Sequence, residues 1–327
     1  MLAAWYDRQG PAAEVLQVGK MPNPEPGPGE VRVRLRLSGI NPGDTKKRSA
    51  WQSTPMSYPR VIPHSDGAGV IDAVGAGVQS NRIGQRVWTY GAQSYRPFGT
   101  AAQLTCVPEP QAVPLPDEVS DEIGACLGIP GITAHRSVFS DGAVAGKTIL
   151  VHGVLGSVSS LAAQLAHWAG ATVIGTVVRS GDLENVDTSV VSHPVALDDA
   201  DPAAAIREHA PDGVDRIVDV GFSDNADLDA AVVANDAVIA TYASRAERPE
   251  IPFWPLLFAN VTLRLLGSDD FSPAAKQQAG RDLTAAARDG ALRIPVAPAH
   301  PLAEIVAAHE HVDNGPRNGR VLVAIPG

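Results

Sequence analysis

The run Thr148-Ile149-Leu150-Val151-His152-Gly153-Val154-Leu155-Gly156-Ser157-Val158-Ser159 decides how the rest of the chain is read. A short apolar strand leads into a Gly-rich turn, and a helix follows at once, with Leu161, Leu165 and Trp168 at helical spacing. Such a junction aims backbone N–H groups and the positive end of the helix dipole at one place, which suits a pyrophosphate. The spacing Gly153-x-x-Gly156-x-x-Ser159 is a weakened dinucleotide fingerprint. Where a third glycine would let helix and strand pack closely, Ser159 adds a hydroxymethyl group. A second apolar strand about 20 residues on favours a coenzyme turn over a plain Gly-rich one.

Outward from this turn the chain alternates strands and helices. Strands are expected at residues 148–151, 172–178, 190–195, 216–220, 237–242 and 261–266, which reads as a doubly wound parallel sheet. Residues 152–178 carry no charged side chain, a run longer than the ~20 residues of a membrane helix. Gly153, Gly156, Gln164, His167 and Gly170 interrupt it, so it reads as the buried interior of the α/β unit. At the end of the second strand an NAD site places an acid on the ribose 2′-hydroxyl. Here Arg179-Ser180 stands instead, and a guanidinium beside a hydroxyl suits a 2′-phosphate. The coenzyme expected is therefore NADPH, and His193 is either a second donor to the same phosphate or a loop histidine.

Before residue 148 the pattern is β-rich. Residues 31–37 alternate strictly, with Arg32, Arg34 and Arg36 on a face expected to be solvated. Further strands near 69–74 and from 84, separated by Gly and Pro, suggest a partly closed antiparallel barrel. The tail resumes that style with helices at 274–289 and 302–311 and a strand at 320–325. Residues 124–266 then form an α/β domain inserted in one built from 1–123 and 267–327. The chain of 327 residues has a net charge of −10, and the inserted domain holds 17 acidic against 8 basic side chains. That surface repels nucleic acid and anionic lipid, and the run Lys46-Lys47-Arg48, expected as a solvated face, is too short to reverse it. Two cysteines allow no disulfide framework and no multi-cysteine zinc site. With no signal-peptide pattern at the start, a reducing cytoplasm is expected.

Five stretches carry a resemblance: Gly39-Ile40-Asn41-Pro42-Gly43-Asp44-Thr45, Pro63-His64-Ser65-Asp66-Gly67-Ala68-Gly69, Gly128-Ile129-Pro130-Gly131-Ile132-Thr133, Leu150-Val151-His152-Gly153, and Gly319-Arg320-Val321-Leu322. Spread in order over nearly the whole chain, they resemble the zinc-free medium-chain dehydrogenase/reductases of the quinone oxidoreductase, or zeta-crystallin-like, family. The resemblance implies an α/β fold of a GroES-like β-rich barrel domain plus a Rossmann domain, NADPH in the cleft between them, and commonly a homodimer. Carried over by position, Asn41 and Thr133 lie by the nicotinamide. Gly153, Leu155, Gly156, Ser157 and Val158 line the pyrophosphate, Arg179, Ser180 and His193 hold the 2′-phosphate, and Thr241, Tyr242 and Gly267 follow later strand ends. Lys46 stands where relatives often have a tyrosine facing the coenzyme.

Three departures accompany the resemblance. The usual Gly-Gly-Val-Gly is Gly156-Ser157-Val158-Ser159, the segment between Arg179 and Val190 is too short for a full helix, and Lys46 replaces the tyrosine. In the zinc-dependent cousins the places of Asn41, Ser65 and Ile129 hold the Cys, His and Cys ligands. No metal is expected, since isoleucine cannot ligate and serine and asparagine are poor zinc donors. His64 is one residue out of the ligand register and is expected to be structural. A quinone accepts hydride without Lewis-acid help, so orientation and water exclusion are expected to dominate, with Trp51, Tyr58, Tyr95 and Phe271 as candidate walls. No Ser–His–Asp constellation is evident and no dedicated acid or base is assigned. Reduction of an activated C=C bond in an enone or enal, with Tyr58 or Tyr242 as proton donor, is the alternative chemistry. A non-catalytic NADPH-binding sensor or structural protein is the alternative class. The apolar strand 261–266 is expected at a sheet edge that pairs two protomers.

Overall fold

Alternation over residues 31–37 builds a half-buried strand: Val31, Val33 and Leu35 are in the core. On the other face Arg34 and Arg36 are exposed, as the sequence suggests, and Arg32 is half-buried. Arg32 and Arg34 share Asp72 at 2.8 and 2.7 Å, and Arg36 reaches Asp121 at 2.9 Å. The computed structural model describes residues 1–315 and 319–327. The chain divides into two units, Met1–Pro130 with Phe271–Gly327, and Gly131–Asp270.

The first unit opens with β1 (Leu2–Trp5), α1 (Ala12–Val15), β2 (Gln17–Lys20), β3 (Glu30–Gly39), α2 (Pro42–Arg48) and β4 (Asp66–Val74). It continues with β5 (Arg86–Thr89), β6 (Leu104–Pro108), β7 (Ala112–Pro114) and α3 (Asp121–Cys126), and the next helix, α4 (Ile129–Phe139), leads into the second unit. The basic run Lys46-Lys47-Arg48 is not a uniformly solvated face. Arg48 is 2% exposed, donates to the Gly10 carbonyl and pairs with Asp313 at 2.7 Å, because α2 turns that side chain inward.

The second unit holds β8 (Thr148–Val151), α5 (Ser157–Trp168), β9 (Thr172–Val177), β10 (His193–Ala196), α6 (Pro202–His209), β11 (Val214–Asp219), α7 (Phe222–Val232), β12 (Val233–Thr241), α8 (Phe253–Phe258) and β13 (Thr262–Leu265). All six strands are parallel in the order β10-β9-β8-β11-β12-β13, the doubly wound arrangement, with its switch point between β8 and β11. Leu150, Ile174, Ile206, Ile217, Val232 and Ile239 form its core. The charge-free run 152–178 is turn, α5 and β9, and among the described residues no helix is long and apolar enough to cross a membrane. The third strand lies at His193–Ala196 rather than 190–195, because a short 3-10 turn at Ser180–Asn185 replaces a connecting helix.

The chain then returns to the first unit through α9 (Pro273–Arg288), β14 (His300–Pro301), α10 (Ile305–Asn314) and β15 (Leu322–Ala324). There β14-β15-β3-β4-β5-β7 form one sheet, with β6 also paired to β3. The start expected at residue 302 is a 3-10 turn, Leu302–Glu304, leading into α10. Gly39 and Gly128 are demanded by close approach, since a Cβ would fall 2.4 Å from the Ala125 carbonyl oxygen and 2.1 Å from Asp66 Oδ1 respectively.

Candidate functional site

The turn after β8 is built from small residues for steric reasons. Gly153 has φ +64°, and a Cβ there would lie 3.1 Å from a Val220 methyl. Gly156 caps α5 without supplying a side-chain acceptor, so no side chain closes the first turn. Leu155, Gly156 and Ser157 are exposed and Val158 is half-buried. An open helix N-terminus of this kind favours an anion. Ser159 is buried and does not wedge the helix away; its Oγ lies 2.8 Å from the Tyr242 hydroxyl at the end of β12. Burial raises the Tyr242 pKa, keeping the phenol protonated as a hydrogen-bonding group.

Beyond β9, Arg179 begins the 3-10 turn with its side chain 76% exposed and Nε 3.5 Å from Asp182 Oδ2. The Ser180 N–H donates to Asp198 Oδ1 at 2.8 Å. His193 does not join them. It starts β10 in register with Ile174, early in β9, and stacks on His209 with ring centroids 3.9 Å apart. In a parallel sheet ligands bind beyond the carboxyl ends of the strands, so a residue at the opposite end of β10 is wrongly placed to hold the 2′-phosphate. Burial and the neighbouring His209 also lower its pKa, away from the cationic form that role requires. Thr241, Tyr242 and Gly267 are brought together at the ends of β12 and β13. With Phe222, Leu265 and Leu266 they line a cavity of about 410 Å³. Thr133 is buried within α4.

In the first unit, Asn41 caps α2 and is held on every side. Its N–H donates to Asp44 Oδ2 at 2.7 Å, its Nδ2 to Asp66 Oδ2 at 2.7 Å, and its Oδ1 accepts from Arg320 at 2.9 Å. Asp66 Oδ1 accepts the Ile129 N–H at 2.9 Å. Burial pushes the Asp66 pKa up to about 7, against the lowering effect of those two hydrogen bonds. Arg320, expected in the last strand, precedes it and serves this cluster. Lys46 places Nζ 4.4 Å from the Trp51 ring centroid. Tyr58 donates its hydroxyl to the Tyr95 carbonyl, and Tyr95 is 69% exposed. Phe271 is half-buried. Among the described residues no three His, Cys, Asp or Glu side chains are grouped to hold a metal.

Two family models match the chain, an alcohol dehydrogenase GroES-like domain over residues 27–117 and a zinc-binding dehydrogenase over residues 191–323. The quinone oxidoreductase of Rattus norvegicus is 30% identical over 284 residues, covering 84% of this chain and 82% of the relative. The chain belongs to the quinone oxidoreductase family. A solved mycobacterial quinone oxidoreductase superposes with a TM-score of 0.86 at 26% identity, covering 99% of both chains. A mycobacterial structure in complex with NADPH superposes at 0.81 with 24% identity over the whole of both chains. Asn41 and Ser65 fall within the first model's matched residues, and Ile129 within neither model's.

Beneath the turn this member of the quinone oxidoreductase family has a cluster that sequence reasoning missed. His152 Nε2 lies 2.8 Å from Asp229 Oδ1, and His152 Nδ1 lies 3.0 Å from Thr176 Oγ1, so a carboxylate–imidazole–hydroxyl chain exists after all. Asp219 is buried close by, its Oδ1 accepting from Gly221 N–H and Asn225. The β8–β9 register, Val151 beside Gly175, puts His152 next to Thr176 and follows from the strand–helix–strand pattern. Asp229 comes from α7, and no local spacing announces it.

Proposed function

We propose that this chain is an NADPH-dependent quinone oxidoreductase that passes hydride to a quinone without a metal ion. One observation carries the reading: the open α5 N-terminus after Gly153 is accompanied by Arg179, not an acid, after β9. An acid there would repel a 2′-phosphate, whereas a guanidinium attracts it and matches two of its oxygens. The Arg179–Asp182 pair is a surface contact that a phosphate can replace at little cost. The family membership and the NADPH complex of the mycobacterial structure support the same reading.

Gly153, Leu155, Gly156, Ser157 and Val158 would hold the pyrophosphate, and Arg179 with Ser180 the 2′-phosphate. Thr241, Tyr242 and Gly267 would border the coenzyme at the later strand ends. Bound NADPH supplies the hydride. The chain's own part is orientation and exclusion of water, because a quinone ring accepts hydride readily and the resulting phenolate can take a proton from water. A three-ligand zinc set is not on offer: Ile129 has a hydrocarbon side chain, and both ends of the Asn41 amide are engaged by Asp66 and Arg320. We assign Asn41 a structural role beside the reacting ring, its amide bridging Asp66 and Arg320, and Trp51, Tyr58, Tyr95 and Phe271 the ring's apolar surroundings. The free thiols Cys106 and Cys126, both raised in pKa by burial, accord with a reducing compartment.

The test is oxidation of NADPH and NADH over a panel of quinones and enones. NADPH is expected to be consumed with quinones, and Arg179→Ala to raise KM for NADPH about tenfold while leaving NADH little changed. A preference for NADH that survives Arg179→Ala overturns the coenzyme assignment. Turnover on enones alone moves the substrate class to activated C=C bonds.

A further inference from the structure

We infer that the buried chain Asp229–His152–Thr176 is a positioning device that holds the Gly153 amide, and with it the dinucleotide turn, in the shape that receives a pyrophosphate. The inference rests on the coenzyme reading above. Its order, carboxylate to imidazole to hydroxyl, is that of a charge relay, but Thr176 is wholly buried and has no access to a substrate. What its oxygen does meet is the turn: Gly153 N–H donates to Thr176 Oγ1 at 3.2 Å, and Val154 N–H donates to the Thr176 carbonyl at 3.0 Å. Both amides that start the turn are therefore anchored on one β9 residue.

The donor arithmetic closes. With the imidazole neutral, Nε2–H donates to Asp229 Oδ1 and Nδ1 accepts the Thr176 hydroxyl proton, leaving a Thr176 lone pair for Gly153. With the imidazole charged, Thr176 Oγ1 accepts from both Nδ1–H and Gly153. Either state keeps the turn's bond. The His152 backbone is pinned as well, its N–H donating to the Val218 carbonyl on β11 at 2.9 Å. Asp219 on β11 and Asp229 on α7 are the acids facing this histidine. Burial opposes a charge on His152, but the hydrogen bond to Asp229 and the two carboxylates outweigh it and raise its pKa. Asp229 Oδ2 and Asp219 Oδ2 have no hydrogen-bond partner among the described residues. Two buried carboxylates that are only half-satisfied are retained beneath a turn, at a cost in stability, where a purely structural core would be apolar.

Thr176→Val removes the acceptor with little change of volume; Thr176→Ser keeps it. In Thr176→Val, KM and Kd for NADPH are expected to rise about tenfold with kcat unchanged, and Thr176→Ser to stay within about twofold of the parent. Amide hydrogens of Gly153 and Val154 are expected to exchange faster in Thr176→Val without any coenzyme present. If Thr176→Val does not fold, Thr176→Ala is the second variant; it too removes the acceptor, and the same rise in KM and the same exchange signature are expected. A parent that binds NADPH, with variants that bind it equally and protect both amides equally, overturns the inference. A parent that binds no NADPH overturns the coenzyme reading instead, and the exchange measurement then decides the hold on the turn by itself.

Discussion

Ser159 and Tyr242 compensate one another. A glycine at the third fingerprint position allows helix and strand to approach; Ser159 gives up that freedom and gains a 2.8 Å hydrogen bond to a buried phenol. Removing one partner leaves the other buried and unpaired, which costs more than the bond is worth net. Tyr242→Phe and Ser159→Ala are each expected to destabilise the protein by about 1 kcal/mol, and the double variant by clearly less than the sum. Urea unfolding of the four proteins checks this; strict additivity would mean the two side chains do not act as a pair. At this scale the sequence was legible where chemistry follows from residue type. Gly153 is an example, its positive φ being a demand that glycine meets without strain. It was not legible where one residue type serves two ends of a strand: His193 reads as a phosphate donor until β10 is seen to begin with it.

Among the described residues, strand β13 ends the parallel sheet, paired to β12 on one side only. Leu263 and Leu265, two residues apart and so on one face, are 37% and 73% exposed, and the preceding α8 exposes Trp254 and Phe258 at 63% and 77%. An unpaired strand edge beside this much exposed apolar surface is a liability for a lone molecule. A second copy meeting the first edge to edge would extend the sheet and cover the patch by one symmetric contact. The protein is expected to sediment as a dimer at micromolar concentration, and Leu265→Arg as a monomer with unchanged far-UV circular dichroism. A monomeric parent excludes this use of the edge. Period-two and helical patterns placed nearly all of the parallel sheet correctly, because buried strands are short, apolar and bounded by turns. They missed by a few residues where tertiary contacts set the end. β12 begins at Val233 because α7 runs into it directly, and β10 begins late because the 180–185 turn consumes little chain.

Across the whole molecule, the first unit is joined through one oriented line of hydrogen bonds. Arg48 Nε can only donate, so at 3.3 Å it makes His309 Nδ1 an acceptor. His309 Nε2–H then donates to His64 Nε2 at 3.0 Å, His64 Nδ1–H to Ser38 Oγ at 2.8 Å, Ser38 to Thr100 at 2.7 Å, and Thr100 to the Asp66 carbonyl at 2.6 Å. The line ties α2, α10 and β3 to the segment entering β4, and each histidine has room for one proton. Burial, reinforced by the partner histidine, pushes the His64 pKa well down; burial, reinforced by Arg48, pushes that of His309 down to about 3. A histidine depressed in the folded state contributes stability above its unfolded pKa of about 6.5, and loses it as pH falls below that value, by about 1.4 kcal/mol per pH unit for each proton taken up on unfolding. Asp66, raised to about 7, acts in the opposite sense, its stabilisation fading as pH rises through neutrality. The two effects separate in a variant. His309→Gln preserves an acceptor for Arg48 and a donor for His64 but cannot be protonated, whereas Asp66 is common to both proteins. From pH 7.5 to 5 the parent's melting temperature is expected to fall more steeply than that of His309→Gln. Parallel profiles would show that the neutral histidine pair is not what makes this unit sensitive to acid.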